Sequence, residues 1–210
     1  MFRDRIEAGI LLAGKLKKYK NDKGIVLAVP RGGIPVAYAV ARELNLPIEI
    51  VLTKKIGHPA NKEYAIGAAS LNDHFIVPHE NVSEEYIQKE LIVIRRRLKE
   101  MYRKFMGDRE PESLEGKTII VIDDGIATGN TLLGTVNVLR KSKPAKIVIA
   151  APVASESAIE KLSNEVDEVV AVLIPEIFYG VGAFYQDFEQ VTDEEVMFYL
   201  DKLRELGQAV

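Results

Sequence analysis

Four apolar residues, Ile119, Ile120, Val121 and Ile122, run directly into two adjacent carboxylates, Asp123 and Asp124. A turn of small residues follows, carrying Thr128, Gly129 and Thr131, and an apolar helical pattern starts at Leu132. A short run with no polar face suits a strand covered on both sides, as in parallel sheets lying between helices. Such a strand delivers both acids to its carboxyl end. The turn beyond it presents backbone N–H groups at a helix N-terminus, where an anion is stabilised.

The rest of the chain keeps this rhythm. Residues 4–18 read as an amphipathic helix with Ile6, Ile10, Ala13 and Leu16 on one stripe. Ile25–Val29 is a short apolar strand ending at Pro30-Arg31-Gly32-Gly33, and 36–44 reads as a helix. Ile48–Thr53 is the next strand and stops at Lys54-Lys55. From 57 to 81 the pattern weakens, and the stretch reads either as a long mobile loop or as a small β excursion near 66–70 and 75–77. Residues 84–105 carry Ile87, Leu91, Ile94, Leu98, Met101 and Phe105 at alternating steps of four and three, with Ser83 as N-cap and Gly107 as stop. The triplet Arg95-Arg96-Arg97 falls largely on its outer face. Strands at 147–151 and 169–174, a helix about 157–162, and a last helix opened by Thr192-Asp193-Glu194-Glu195 complete the pass. Alternating strands and helices predict an α/β fold, a mostly parallel sheet with helices on both faces. In such folds ligands sit beyond the carboxyl ends of the strands, where the unusual residues of this chain collect.

The 210 residues suit a single domain, 1–210, with an elaboration. A formal charge of −3 argues against a nucleic-acid binder. The absence of cysteine excludes disulfides, thiolate metal sites and a cysteine nucleophile. No apolar run approaches the ~20 residues that span a bilayer. The opening residues read as a helix start and not a signal peptide, so a cytoplasmic enzyme is the expectation.

Two carboxylates at one strand end can accept hydrogen bonds from two neighbouring hydroxyls, such as a ribose diol. Ala127, Thr128, Gly129, Asn130 and Thr131 add successive N–H groups, two threonine hydroxyls and a glycine that permits close approach, a cup suited to a phosphomonoester. The glycine-lysine-threonine ending of a Walker loop is missing, and the acids precede the turn, unlike a dinucleotide fingerprint.

The stretch from Asp123 to Thr131, following four apolar residues, resembles the signature of the type I phosphoribosyltransferases. The resemblance implies that Asp123 and Asp124 hold the ribose hydroxyls of phosphoribosyl pyrophosphate and that 127–131 wrap its 5-phosphate. It implies that Arg31, Gly32 and Gly33 form a pyrophosphate loop with a strained or cis peptide near Arg31-Gly32. Lys54 and Lys55 would face the leaving pyrophosphate, at the start of a flexible loop around 55–80 that closes over the reaction centre. A hood about 174–190 carries Phe178, Tyr179, Phe184, Tyr185 and Phe188, and a ring from Phe178, Tyr179 or Phe184 would stack on a base. The run from Val181 to Phe188 is similar to the base-side segment of 6-oxopurine phosphoribosyltransferases, with one residue more between glycine and Asp187, the candidate metal ligand. The Phe-Arg-Asp-Arg start and the Gly-His-Pro-Ala-Asn-Lys-Glu-Tyr run extend the likeness, to a prokaryotic phosphoribosyltransferase-like group, over most of the chain.

The implied activity is Mg²⁺-dependent phosphoribosyl transfer to a nitrogen nucleophile, a nucleobase being the expected small-molecule acceptor, with a homodimer as a possible assembly. The alternatives are a non-catalytic sensor of phosphoribosyl pyrophosphate or a nucleotide on the same fold, and a phosphohydrolase with Asp123 as nucleophile. The latter leaves the Pro30–Gly33 loop unexplained.

Overall fold

The computed structural model describes residues 1–80 and 82–207. Asn81, at the end of the weakly patterned stretch, lies outside the described residues. In chain order the elements are α1 (Arg5–Lys15), β1 (Gly24–Ala28), α2 (Gly33–Leu44), β2 (Ile48–Ile50), β3 (Lys54–His58), β4 (Asn61–Ala69), β5 (His74–Ile76) and α3 (Glu84–Met106). They continue with β6 (Thr118–Ile122), α4 (Asn130–Leu139), β7 (Lys146–Val153), α5 (Glu156–Ser163), β8 (Glu168–Leu173) and α6 (Asp193–Glu205).

Five strands form a parallel sheet in the order β2-β1-β6-β7-β8. Their side chains alternate between two cores, because successive residues of a strand point to opposite faces. Val26, Ala28, Ile120, Ile122 and Val148 pack under α1, α2, α3 and α6. Ile25, Leu27, Ile119, Val121 and Ile149 pack under α4 and α5. With both faces covered, all of Ile119–Ile122 is buried, which is why this strand reads as unbroken apolar sequence.

From β1 the chain runs through α2 to β2 on one side, and from β6 through α4 to β7 on the other. The strand order therefore reverses between β1 and β6, the place where open α/β sheets bind ligands. Their register pairs Ala28 with Ile122, so the loops leaving the two strands start side by side.

Residues 54–76 do not form a loop. They fold as an antiparallel sheet in the order β3-β4-β5, which resolves the weakly patterned stretch as the β excursion. Small residues let this sheet pack closely: an added Cβ on Gly67 would stand 2.1 Å from the Phe75 carbonyl of β5, and one on Gly134 of α4 would stand 3.2 Å from the Ala68 side chain. The hydroxyls of Thr53 and Thr135 meet at 2.7 Å at the same junction. The small size of the alternating runs concealed the strands from a pattern search, as β4 is exposed over its first five residues.

The helix over 84–106 is bounded as its sequence predicts, with Ser83 accepting from the Tyr86 N–H and Gly107 ending it at φ 75°. It is pinned to β2 by the Tyr102 hydroxyl, which donates at 2.8 Å to the buried carboxylate of Glu49. Burial pushes the Glu49 carboxyl up, opposed by the Ile50 N–H and the Tyr102 hydroxyl.

Helix α1 lies against α2 through Gly9, whose missing side chain is the contact: a Cβ there would sit 2.7 Å from the Ala39 Cβ and 2.7 Å from the Val36 carbonyl. Gly9→Ala is therefore expected to push the helices apart and cost about 1–3 kcal/mol. Urea unfolding checks this, and an unchanged midpoint would mean that α1 packs elsewhere.

Candidate active site

The two loops at the switch point are built differently from other helix starts in the molecule. Asp4, Ser83, Ser155 and Thr192 cap α1, α3, α5 and α6, each accepting from a backbone N–H of the first turn. The N-caps of α2 and α4 are Gly32 and Gly129, which have no side chain to do so. Among the described residues the Thr131 and Leu132 N–H groups at the start of α4 are left for another acceptor, and its dipole adds attraction for an anion. At α2, by contrast, Gly33 and Ile34 donate to the Val29 and Arg31 carbonyls and Pro35 has no N–H, so that start offers its dipole alone.

In the first loop a cis peptide joins Pro30 to Arg31, one bond before the expected position. The Gly33 N–H donates to the Val29 carbonyl at 3.0 Å, closing the turn tightly. Glycine is required at 32 for space, since a Cβ there would stand 2.0 Å from Asp124 Oδ2. At 33 a Cβ would meet the Ile122 carbonyl at 2.6 Å. The exposed Arg31 guanidinium reaches Asp193 at 2.5 Å, and Lys104 holds the other oxygen of that carboxylate at 2.5 Å. The two cations hold the Asp193 carboxyl below its usual range, Lys104 contributing first.

In the second loop Ala127, Thr128, Asn130 and Thr131 are exposed around a buried Gly129 at φ 70°. Helix α5 braces this loop from below. Ser155 donates to the Ala127 carbonyl at 2.5 Å, and Lys161 Nζ donates to the Thr128 carbonyl and Asn130 Oδ1, both at 2.8 Å.

Between the loops stand the acids. Asp123 Oδ1 accepts from the Asp124 N–H at 2.9 Å. Burial, and then the charge of Asp124, push the Asp123 carboxyl up to about 7. Asp124 is held by the hood. Arg5 Nε donates to its Oδ2 at 2.9 Å, with the two side chains only 11% and 15% exposed, and the Tyr185 hydroxyl donates to its backbone carbonyl at 2.6 Å. Gly125 packs under Val181 of the hood, where an added Cβ would fall 2.3 Å from a Val181 methyl.

The hood includes the N-terminus. The Phe2 N–H donates to Phe184, and the N–H groups of Gln186 and Asp187 donate to Phe2 and Arg3, at 2.8–2.9 Å. This stitching sets Arg5, the first residue of α1, over the Phe188 ring at 4.0 Å. Arg5 also donates from Nη1 to the Glu189 carbonyl at 2.8 Å. Arg5, Arg31, Gly32, Asp124 and Phe188 line one cavity of ≈ 380 Å³.

Matches of this chain to known proteins agree with the geometry. The model of the phosphoribosyl transferase domain matches residues 5–188. This chain belongs to that family. A Mycobacterium tuberculosis protein named "Putative phosphoribosyl transferase" is 33% identical over 211 residues, which is 96% of this chain and 47% of that protein. The chain thus spans about half the length of the curated relatives it matches first. The crystal structure of the TT1426 protein from Thermus thermophilus is 37% identical and superposes with a TM-score of 0.85, covering 100% of this chain and 99% of that one. A ribose-phosphate pyrophosphokinase of Pyrococcus furiosus is 41% identical over 58 residues, 27% of this chain and 21% of that protein.

Within this phosphoribosyl transferase fold, the residues singled out from sequence fall into five groups. Asp124, Arg31 and Gly32 share the cavity, with Asp123 and Gly33 immediately behind. Ala127–Thr131 forms the neighbouring cup. Lys54 and Lys55 are exposed on β3, where Lys55 Nζ pairs with Glu63 at 2.7 Å, and neither lines the cavity. Phe178 and Phe184 pack ring to ring at 5.5 Å inside the hood, and Tyr179 is 83% exposed. The aromatic residues that touch the acid-pair region are Tyr185 and Phe188. Asp187 is exposed and lines an adjoining cavity that shares Arg5 with the first. Arg5 and Lys161 escaped the sequence reading because their positions depend on contacts 119 and 31–33 residues away. The Phe-Arg-Asp-Arg start was the one visible signal for Arg5.

The raised Asp123 carboxyl has a thermodynamic consequence. The folded protein binds this proton more tightly than the unfolded chain, whose carboxyl titrates near 3.8. Its contribution to stability is full below about pH 3.8 and is lost as the pH rises to about 7. Asp123→Asn, which never ionises, is expected to raise the thermal midpoint relative to wild type more at pH 8 than at pH 4. Equal shifts at the two pH values would remove the assignment.

Proposed function

We propose that the protein transfers a phosphoribosyl group from phosphoribosyl pyrophosphate to a nitrogen of a nucleobase. The observation that carries this reading is the pair of helix starts left without a side-chain cap, flanking two adjacent carboxylates. A donor with a phosphate at one end, a diol in the middle and a pyrophosphate at the other matches that order of groups. The 5-phosphate takes the Ala127–Thr131 cup, the ribose hydroxyls meet Asp123 and Asp124, and the pyrophosphate takes the Arg31–Gly33 loop.

Transfer forms a C1–N bond as the C1–O bond to pyrophosphate breaks, its electron pair leaving with the pyrophosphate. The acceptor's displaced N–H proton goes to water or to the departing anion. Positive charge grows on the ribose ring, and the Asp124 carboxylate beside it opposes that charge, while Arg31 and the dipole of α2 stabilise the charge accumulating on pyrophosphate. An Asp123 that still holds its proton can donate to a ribose oxygen while Asp124 accepts from the other.

The donor set suits a magnesium ion carried mainly by substrate oxygens. Among the described residues no group of three or more acidic or histidine side chains could hold a metal, and Mg²⁺ commonly needs only one or two carboxylates beside phosphates. Asp187, with one oxygen taken by the Glu189 N–H at 3.3 Å, offers the other. When bound, the ion would neutralise the leaving group. Lys54 and Lys55 lie at the start of β3, opposite Ala69 and Ala68 and at the far end from the turn between His58 and Asn61, and Lys55 would have to leave Glu63 to reach the leaving group. An exposed ring, Tyr179, is the hood aromatic free to meet a base.

Pyrophosphate release from phosphoribosyl pyrophosphate in the presence of a nucleobase panel tests the reading. Wild type is expected to turn over with at least one base. Asp124→Asn is expected to lose about 10²–10³ in kcat/KM. Undiminished turnover in that variant would sink the role given to the acid pair.

A further inference from the structure

We propose that Arg5 is a catalytic residue that holds the leaving pyrophosphate directly, a role that rests on the phosphoribosyl transfer reading. Arg5 projects from the first turn of α1 into the cavity that also exposes Arg31 and Gly32. Its Nε is committed to Asp124 and its Nη1 to the Glu189 carbonyl. Among the described residues Nη2 donates to nothing, so its two N–H groups are available to a ligand. Stacking on Phe188 at 4.0 Å fixes the plane of the guanidinium, and the side chain is only 11% exposed. A planar cation held on three sides with free donors in a small cavity is organised for a phosphate oxygen.

The placement also explains an electrostatic need. Arg31 is already shared with Asp193, which Lys104 shares in turn, and the Arg31 side chain is 42% exposed. Arg5 has one partner charge, Asp124, and that charge is the one the ribose engages. When a ribose hydroxyl donates to Asp124, Arg5 remains fixed by the Glu189 carbonyl and Phe188, and its charge turns toward the bond that breaks. One residue is thus bonded to the carboxylate that meets the ribose hydroxyl and offers Nη2 to the leaving group.

Calorimetric titrations with inorganic pyrophosphate and with ribose 5-phosphate, both with Mg²⁺, separate this role from a merely supporting one. Arg5→Lys keeps the charge and loses the fork, and Arg5→Gln loses both. Pyrophosphate affinity is expected to fall about tenfold in Arg5→Lys and about a hundredfold in Arg5→Gln, with ribose 5-phosphate affinity changed by less than about threefold. Thermal unfolding of each variant with circular dichroism establishes that it is folded, and Arg5→Lys serves if Arg5→Gln is not. Unchanged pyrophosphate affinity overturns the proposal, as does an equal loss of both ligands, which would make Arg5 a support for Asp124 alone. Wild-type protein that binds neither pyrophosphate nor phosphoribosyl pyrophosphate would instead defeat the transferase reading itself.

Discussion

The parallel pairing of β1 with β6 is the contact on which the rest of the site depends. Ala28 stands opposite Ile122, so the backbone that carries Arg31–Gly33 and the backbone that carries Asp123–Asp124 emerge together. The reversal of strand order at that pair sends α2 and α4 away to opposite faces and leaves a crevice between their N-termini. The approach is so close that Gly32 has the Asp124 carboxylate where a side chain would be. Two segments far apart in the chain become one surface because two strands share hydrogen bonds.

Around that crevice the cations are held by carboxylates. Arg31 is tied to Asp193, Lys55 to Glu63 and Arg5 to Asp124. Lys55–Glu63 is solvated, and such a pair is worth little, roughly 0–1 kcal/mol, so a polyanion can exchange partners with it at small cost, while Arg31–Asp193 is partly buried. The pair of Arg5 with Asp124 is different. Both groups are largely removed from water, and the hood's backbone bonds to residues 2 and 3 leave the arginine little room to move. The site combines one stiff ion pair at its centre with loosely held charges at its edge.

Much of this was legible in the sequence, and the reasons differ by element. The strand Thr118–Ile122 and the helix over 84–106 were readable to within a residue because each is governed by a local pattern: unbroken burial in one, a stripe with a capping serine and a stopping glycine in the other. The acid pair and the glycine loops were readable because their chemistry is local too. The sheet over 54–76 was legible only as one of two alternatives, since its strands are partly solvated and its placement depends on close approaches of Gly67 to β5 and of Ala68 to α4. The hood aromatics were located as a cluster but not sorted. Whether a ring faces the acids or its neighbours follows from the bridge between Phe2 and Tyr185, which joins the two ends of the fold. Arg5 belongs to the same class, a residue defined by where the chain returns.

The glycine N-caps carry a further meaning for the energetics of the folded state. A glycine cap costs a helix roughly a few tenths of a kcal/mol against a serine or aspartate cap, and α2 and α4 carry one at Gly32 and Gly129. These helices are the crossovers that join β1 to β2 and β6 to β7, so the deficit falls on the centre of the sheet. An anion that seated at the start of α4 would complete that helix as a cap would, and its binding energy would become folding energy. A bound phosphate would in this sense be a piece of secondary structure that the chain does not encode, and α4 would be finished by chemistry from outside the fold.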